Sequence, residues 1–215
     1  MMNLDLFDTL PAGLEKIGEQ SVVLRQFASP MQDELMAAID QISRQAPFRH
    51  MLTPGGYTMS AAMTSCGSLG WITDRKGYRY QSVDPLTGKR WPDMPHVFQA
   101  LAQQAASMAG FEHFQPDSCL INVYGVGAKM SLHQDKNEKD MTQPVVSVSL
   151  GITATFLFGG LQRKDNTQKI VLQHGDVVVW GGVDRLRYHG ILSLKPASHL
   201  LLGERRINVT FRQAG

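Results

Sequence analysis

The second half of the chain leaves few folds open. From residue 116 onward no helical period survives, and short apolar runs follow one another: CLINVY (119–124), VVSVSL (145–150), TATFLF (153–158), KIVLQ (169–173), VVVWGG (177–182), RLRYHGI (185–191) and RINVTF (206–211). Gly, Pro and Asp turns separate them, which is the signature of strands. That many short strands with tight turns predict a sandwich or jelly roll.

The first half is built differently. Ser29 is a candidate N-cap, Pro30 suits a first helical position and Gln32 completes an S-x-x-Q capping box. Met31, Leu35, Ile39 and Ile42 then share one face, predicting a helix that ends near Pro47. A second helix is expected from about Pro95 to Met108, with Val97, Leu101 and Met108 inward and Gly110 as its stop. Between them, residues 50–92 interleave Tyr57, Trp71, Tyr78, Tyr80 and Trp91 with Gly, Ser and Thr. Within 71–90, Arg75, Lys76, Arg79, Lys89 and Arg90 oppose only Asp74 and Asp84. Hairpins with polar, aromatic-bearing surfaces fit this stretch. The chain therefore reads as α+β and mainly β: residues 1–115 form an extension with two helices, and 116–215 a β core, in one compact unit.

Residues 141–162 carry no charge, long enough to raise the question of a membrane span. Pro144, Gly151, Gly159 and Gly160 argue against one, and VSVSL and TATFLF read better as two strands joined at Gly151. No membrane partner is expected. The opening MMNLDLFDTL lacks the basic region and apolar run of a signal peptide. With only Cys66 and Cys119 as cysteines, reduced buried thiols in a cytoplasmic monomer are the expectation. The formal net charge of +2 is too small to argue for nucleic acid by itself.

Polar residues stand where a core should be. Alternation along RINVTFR puts Ile207, Val209 and Phe211 on one face and Arg206, Asn208, Thr210 and Arg212 on the other. In CLINVY, Asn122 and Tyr124 share a face with Leu120. Taken alone, the last strand favours arginines facing solvent. KIVLQ and VVVWGG tip the balance, since they have too little polar alternation for strands with one wet face and imply cover on both. If the polar faces point inward, two arginines, an asparagine and a tyrosine line the interior, where an arginine needs an anion such as a carboxylate.

SLHQDKNE (131–138) holds a His-x-Asp pair. Seven His in 215 residues make about 0.4 chance occurrences of that pattern, and a second one exists at His174-Gly175-Asp176. The second reads as a hairpin turn between KIVLQ and VVVW, hence structural. His133 and Asp135 sit at a strand end, where i and i+2 project to one side, and His189 offers a third ligand on a later strand. Two His and one carboxylate with open positions suit non-haem Fe(II) and oxygen chemistry. His50, His96, His113 and His199 have no such setting.

NVYGVGAKMSLHQD (122–135), SVSLGITATFLFGG (147–160), HGDVVVWGG (174–182), RYHGI (187–191) and RINVTFR together resemble the bacterial AlkB alkylation-repair dioxygenases. TPGGYTMSAAMTSCG (53–67) and LGWITDRKGY (69–78) match as well, so the resemblance runs from about Val22 to Gly215. It implies a double-stranded β-helix (jelly roll) with N-terminal helices and a nucleotide-recognition lid, using Fe(II), 2-oxoglutarate and O2. His133, Asp135 and His189 look like the iron ligands. Arg206 looks like the partner of the distal 2-oxoglutarate carboxylate, supported by Asn208 and Tyr124, with Asn122 and Arg212 near the keto-acid end. Trp71 resembles the aromatic that stacks on a flipped base, with Met63, Tyr78, Arg79 and Tyr80 nearby and Arg163 reaching toward the nucleic acid. The implied activity is oxidative demethylation of bases such as 1-methyladenine and 3-methylcytosine in single- or double-stranded DNA, with RNA left open.

The chain departs from that pattern twice. Asn137 stands where the family often has an acidic residue, and Glu138, one step on along an extended chain, points the other way. Gly125-Val126-Gly127 replaces a proline-containing loop. On the residues alone, two other readings stay open: a hydroxylase of a protein or small molecule with the same iron centre, and a non-enzymatic jelly-roll binding module. The second would make three ligands and two arginines coincidences.

Overall fold

Two antiparallel sheets face each other, and their strand order brings together residues far apart in sequence. In this computed structural model residues 13–215 are described, so the reading of MMNLDLFDTL lies outside the described residues. The larger sheet runs β1 (Gly13–Lys16), β2 (Ser21–Arg25), β12 (Val177–Trp180), β9 (Val145–Gly151), β14 (Arg206–Arg212), β7 (Ser118–Tyr124), β4 (Thr58–Gly67) and β3 (Arg49–Leu52). The smaller runs β11 (Gln168–Leu172), β10 (Ala154–Phe158), β13 (His189–Ile191) and β8 (Met130–His133). A separate hairpin joins β5 (Gly70–Asp74) to β6 (Gly77–Gln81). Helices α1 (Gln32–Gln45) and α2 (His96–Met108) complete the double-stranded β-helix.

Strand alternation supplies apolar side chains to both faces of the central strands of the large sheet. Val177 and Val179 of β12, Val146 and Val148 of β9, and Ile207, Val209 and Phe211 of β14 pack with Leu35, Ile39, Phe98 and Leu101 of the helices. Val178, Trp180, Phe156, Phe158 and Leu172 form a second cluster between the sheets. Each such aliphatic or aromatic side chain contributes about 1.5–3 kcal/mol on burial. Because the helices cover the apolar face, all seven residues of β14 are buried, and its arginines point between the sheets. The solvent-facing alternative for Arg206 and Arg212 is excluded.

Several local expectations need correction. The first helix enters through a 3-10 turn at Ser29–Met31 capped by Ala28, without a side-chain cap bond. Gln32 does not close a capping box; its Oε1 accepts from His174 Nε2 at 3.0 Å. Met108 is 54% exposed, and α2 buries Phe98, Leu101, Ala102, Ala105 and Ala106 instead, the three alanines being small enough to let the helix approach the sheet. Gly110, at φ +87°, follows the helix as expected. KIVLQ is not covered on both faces: β11 is an edge strand with Lys169 and Val171 exposed.

RLRYHGI is a strand only from His189 on, because Arg185 and Arg187 turn their side chains to buried carbonyls and carboxylates. The strands β1 and β2 add to the sheets the sequence predicts, joining the large sheet beside β12. HGD is a crossing between sheets rather than a hairpin, since β11 and β12 do not pair. It remains structural. Asp176 accepts from Arg25 Nη1 at 2.7 Å, Gln26 N and Gln173 N, and His174 Nδ1 accepts from Gly151 N.

Gly151 marks the passage from β9 to β10 and so from one sheet to the other. Its φ is +93°, and a Cβ there would lie 2.2 Å from the Arg205 carbonyl oxygen. Only glycine fits both demands. The uncharged stretch thus supplies two strands, and among the described residues no helix is long and apolar enough to cross a membrane. Cys66 and Cys119 are free, buried and paired across β4 and β7.

Candidate active site

A cleft of about 750 Å³ opens between the sheets, with the polar faces of β7 and β14 on one side and β8 and β13 on the other. The pairing of β8 with β13 puts His133 directly opposite His189, and Asp135 follows two residues after β8 ends. Ligand atoms of His133, Asp135 and His189 all lie within 4.8 Å of one another. His133 Nε2 is 3.8 Å from Asp135 Oδ1, and His189 Nε2 is 3.8 Å from Oδ2. Each imidazole donates Nδ1–H to a carbonyl, His133 to Ser131 at 2.9 Å and His189 to Arg187 at 3.0 Å. That fixes the tautomer and leaves both Nε2 lone pairs aimed at a common point.

The charges agree with a cation site. Burial pushes His189 down to about 3, with His133 adding to the effect, so the ring is neutral at physiological pH. Burial alone would raise Asp135, but Arg212, His189, His133 and Arg185 outweigh it and hold the carboxyl well below the usual range. Arg212 donates Nε and Nη2 to Asp135 Oδ2. Burial disfavours its charge too, yet Asp135, Tyr80 and Glu138 hold its pKa above the ordinary value.

Deeper in the cleft the donors outnumber the acceptors. Arg206, 1% exposed, gives Nη2 to Ser149 Oγ at 2.9 Å and stands 5.3 Å from the Tyr124 ring centroid. Its Nε and Nη1 have no partner, and neither do Arg212 Nη1 and Asn122 Oδ1. Burial lowers the Arg206 pKa. A buried guanidinium with orphaned donors costs free energy until an anion reaches it. A dicarboxylate with one end at Arg206 and the other near Arg212 would satisfy both, so the residues present fit 2-oxoglutarate. Asn208 is fully engaged: it donates to Ser147 Oγ and Val148 O and accepts from Thr210.

Trp71, Tyr78, Asn137 and Arg163 line the mouth of the cleft, and Met63, fully buried on β4 beside Asn122, lines it deeper in. Trp71 and Tyr78 stack, with centroids 5.6 Å apart and planes 20° apart. Arg163 donates to the Leu132 carbonyl, beside His133, and covers the Tyr188 ring. Arg79 and Tyr80 lie off the lining: Arg79 forks onto Asp74, and the Tyr80 hydroxyl donates to Glu138.

The family model of the 2OG-Fe(II) oxygenase superfamily matches residues 20–212. The alpha-ketoglutarate-dependent dioxygenase AlkB of Escherichia coli is 55% identical over 212 residues, 99% of this chain and 98% of its own. The chain belongs to the AlkB family. An AlkB homologue from Caulobacter vibrioides is 46% identical over 85% of this chain and 82% of its own. The solved structure of OsALKBH1 superposes with a TM-score of 0.81 at 28% identity, covering 94% of this chain and 100% of that one. As an AlkB-family protein this is an Fe(II)- and 2-oxoglutarate-dependent dioxygenase.

Sequence reasoning missed two members of this AlkB-type site. Glu138 does point away from Asn137, as expected, but into the protein. It binds Arg185 Nη2 at 3.0 Å and the Tyr80 hydroxyl at 2.5 Å. Arg185, read as part of a strand, donates Nη1 to the Asp135 carbonyl at 2.6 Å. A buried acid and a buried arginine leave no pattern along the chain when their partners are 47 residues apart.

Proposed function

We propose that this dioxygenase repairs alkylated DNA by removing methyl groups from base nitrogens, with 1-methyladenine and 3-methylcytosine as representative lesions. One observation carries the reading: a single cleft contains the His133–Asp135–His189 ligand set, the unpaired donors of Arg206 and the Trp71–Tyr78 stack. When bound together, Fe(II), 2-oxoglutarate and O2 supply oxidation of the N-methyl group, giving succinate, CO2 and formaldehyde.

The chain's own groups do the rest. His133, Asp135 and His189 would hold the metal, three protein ligands being few enough to admit cosubstrate and O2. Arg206 takes the distal carboxylate, while Asn122 and Arg212 meet the keto-acid end. Tyr124 and Asn208 keep the Arg206 pocket shaped and dry. Methylation at N1 or N3 makes the base cationic, so Trp71 adds a cation–π term of about 0.5–2 kcal/mol to stacking. The target must leave the duplex, which costs least for a damaged or single-stranded base. Tyr78 and Asn137 flank the base at the mouth, Met63 packs deeper in the cleft, Arg79 and Tyr80 brace the β5–β6 hairpin through Asp74 and Glu138, and Arg163 reaches the phosphates, positioning without reading sequence. The same chemistry extends to RNA carrying these bases. The free cysteines fit a reducing cytoplasm, and the protein works as a monomer.

Incubation with an oligonucleotide containing 3-methylcytosine should release formaldehyde, and the unmethylated oligonucleotide should release none. Equal formaldehyde from both would reject the reading.

A further inference from the structure

The mechanism above makes no use of Glu138, although it is one of the most enclosed charged groups in the molecule: 2% of its side chain is exposed. Three elements meet at its carboxylate. Oε1 accepts from the Tyr80 hydroxyl of β6 at 2.5 Å and lies 3.5 Å from Arg212 Nε. Oε2 accepts from Arg185 Nη2 at 3.0 Å. Both arginines also hold Asp135, Arg212 at Oδ2 and Arg185 at the backbone carbonyl. Every partner of this acid therefore leads either to the β5–β6 hairpin, which carries Trp71 and Tyr78 into the cleft, or to the metal-ligand loop.

We propose that Glu138 is a positioning residue that couples the recognition hairpin to the cosubstrate end of the site. The coupling rests on the proposed substrate class, because it gives the hairpin a methylated base to sense. A base stacked on Trp71 holds β6 in place, and the Tyr80 hydroxyl then holds Glu138. Glu138 in turn fixes the Arg212 guanidinium in the orientation that meets the keto acid. A hairpin without a base leaves that orientation less well held, so 2-oxoglutarate binds more weakly. Coupling between two sites is reciprocal, and the contiguous chain Tyr80–Glu138–Arg212–Asp135 provides a physical route for it.

The test is a binding measurement on the full chain, loaded with Fe(II) under nitrogen so that nothing turns over. The affinity for 2-oxoglutarate is measured by calorimetry with and without an oligonucleotide containing 3-methylcytosine. In the wild type the oligonucleotide should tighten 2-oxoglutarate binding by about fivefold or more. Glu138→Gln and Tyr80→Phe should each bring that factor close to one at saturating oligonucleotide. Thermal unfolding reports whether each variant is folded. Tyr80→Phe removes a single hydroxyl and decides the matter alone if Glu138→Gln does not fold.

A purely structural role would lower stability and leave the factor unchanged. Retention of the wild-type factor in either folded variant overturns the proposal, and so does a wild-type factor of one. Failure of the wild type to bind the oligonucleotide sinks the substrate reading and the coupling with it. Binding without tightening sinks only the coupling.

Discussion

Arg212 Nε and Nη2 lie 2.9 and 2.7 Å from the same oxygen, Oδ2 of Asp135. The pair joins β14 to the loop after β8 across 77 residues of sequence. In the proposed site Asp135 thereby has two tasks, as an anionic metal ligand and as the counter-ion of a buried guanidinium. His133 has only the first, since its side chain is 39% exposed.

The two ligands should therefore fail differently. His133→Ala is expected to lose iron and turnover with little change in stability. Asp135→Ala should also lose roughly 3–5 kcal/mol of stability, the usual cost of stranding one member of a buried ion pair. His189→Ala should lose iron as His133→Ala does. Iron content and urea unfolding of each variant check this. Loss of iron in His174→Ala or Asp176→Ala, with iron retained in the first set, would mean the wrong His-x-Asp pair holds the metal.

Arg206→Ala should raise the 2-oxoglutarate requirement sharply. The guanidinium already lacks partners for two of its nitrogens, so its removal costs the free protein less than it costs the cosubstrate complex. Breaking a buried pair is worth roughly 3–5 kcal/mol, or about two to three and a half decades in affinity. A titration of succinate formation against 2-oxoglutarate measures it, and an unshifted midpoint would deny Arg206 the role.

Trp71→Ala should weaken binding of a methylated oligonucleotide by about 1–3 kcal/mol, the usual worth of a stacked base. Decarboxylation of 2-oxoglutarate without DNA should change much less, because the tryptophan sits at the mouth and not at the ligand set. Equal losses in both assays would make Trp71 a packing residue of the hairpin.

Asn137 is exposed on the rim of the cleft, where it keeps an acceptor oxygen and carries no charge. Asn137→Asp should attract a cationic base by about 1 kcal/mol through water, rising to about 4 kcal/mol where water is well excluded. The exposure favours the lower figure. The larger purine brings its amine closer, so the gain in efficiency should be greater for 1-methyladenine than for 3-methylcytosine and should shrink with added salt. Parallel assays on both lesions at low and high salt test this; no change on either base would remove Asn137 from recognition.

Alternation along RINVTFR and CLINVY separates a polar from an apolar face but does not say which one points inward; the packing of α1 and α2 on the apolar face decides that, and leaves the polar face between the sheets. The clustering of His133, Asp135 and His189 was readable for a simpler reason. His133 and Asp135 are local in sequence, and His189 needed only one strand pairing. What stayed hidden was non-local: β1 and β2 are short and join the sheet through β12. Arg185 sits in a loop whose direction is set by the Glu138 and Asp135 it meets. The direction of Glu138, away from Asn137, follows from the extended chain, but its burial is legible only once β6 is laid against it.

The most direct measurement of the central claim is the mass of the oligonucleotide itself, before and after incubation with the protein, Fe(II), 2-oxoglutarate and O2. A strand carrying one 3-methylcytosine should lose the mass of a single CH2 unit as succinate and formaldehyde appear, and the His189→Ala variant should leave it unchanged. Succinate accumulating while the methylated strand keeps its mass would contradict the account.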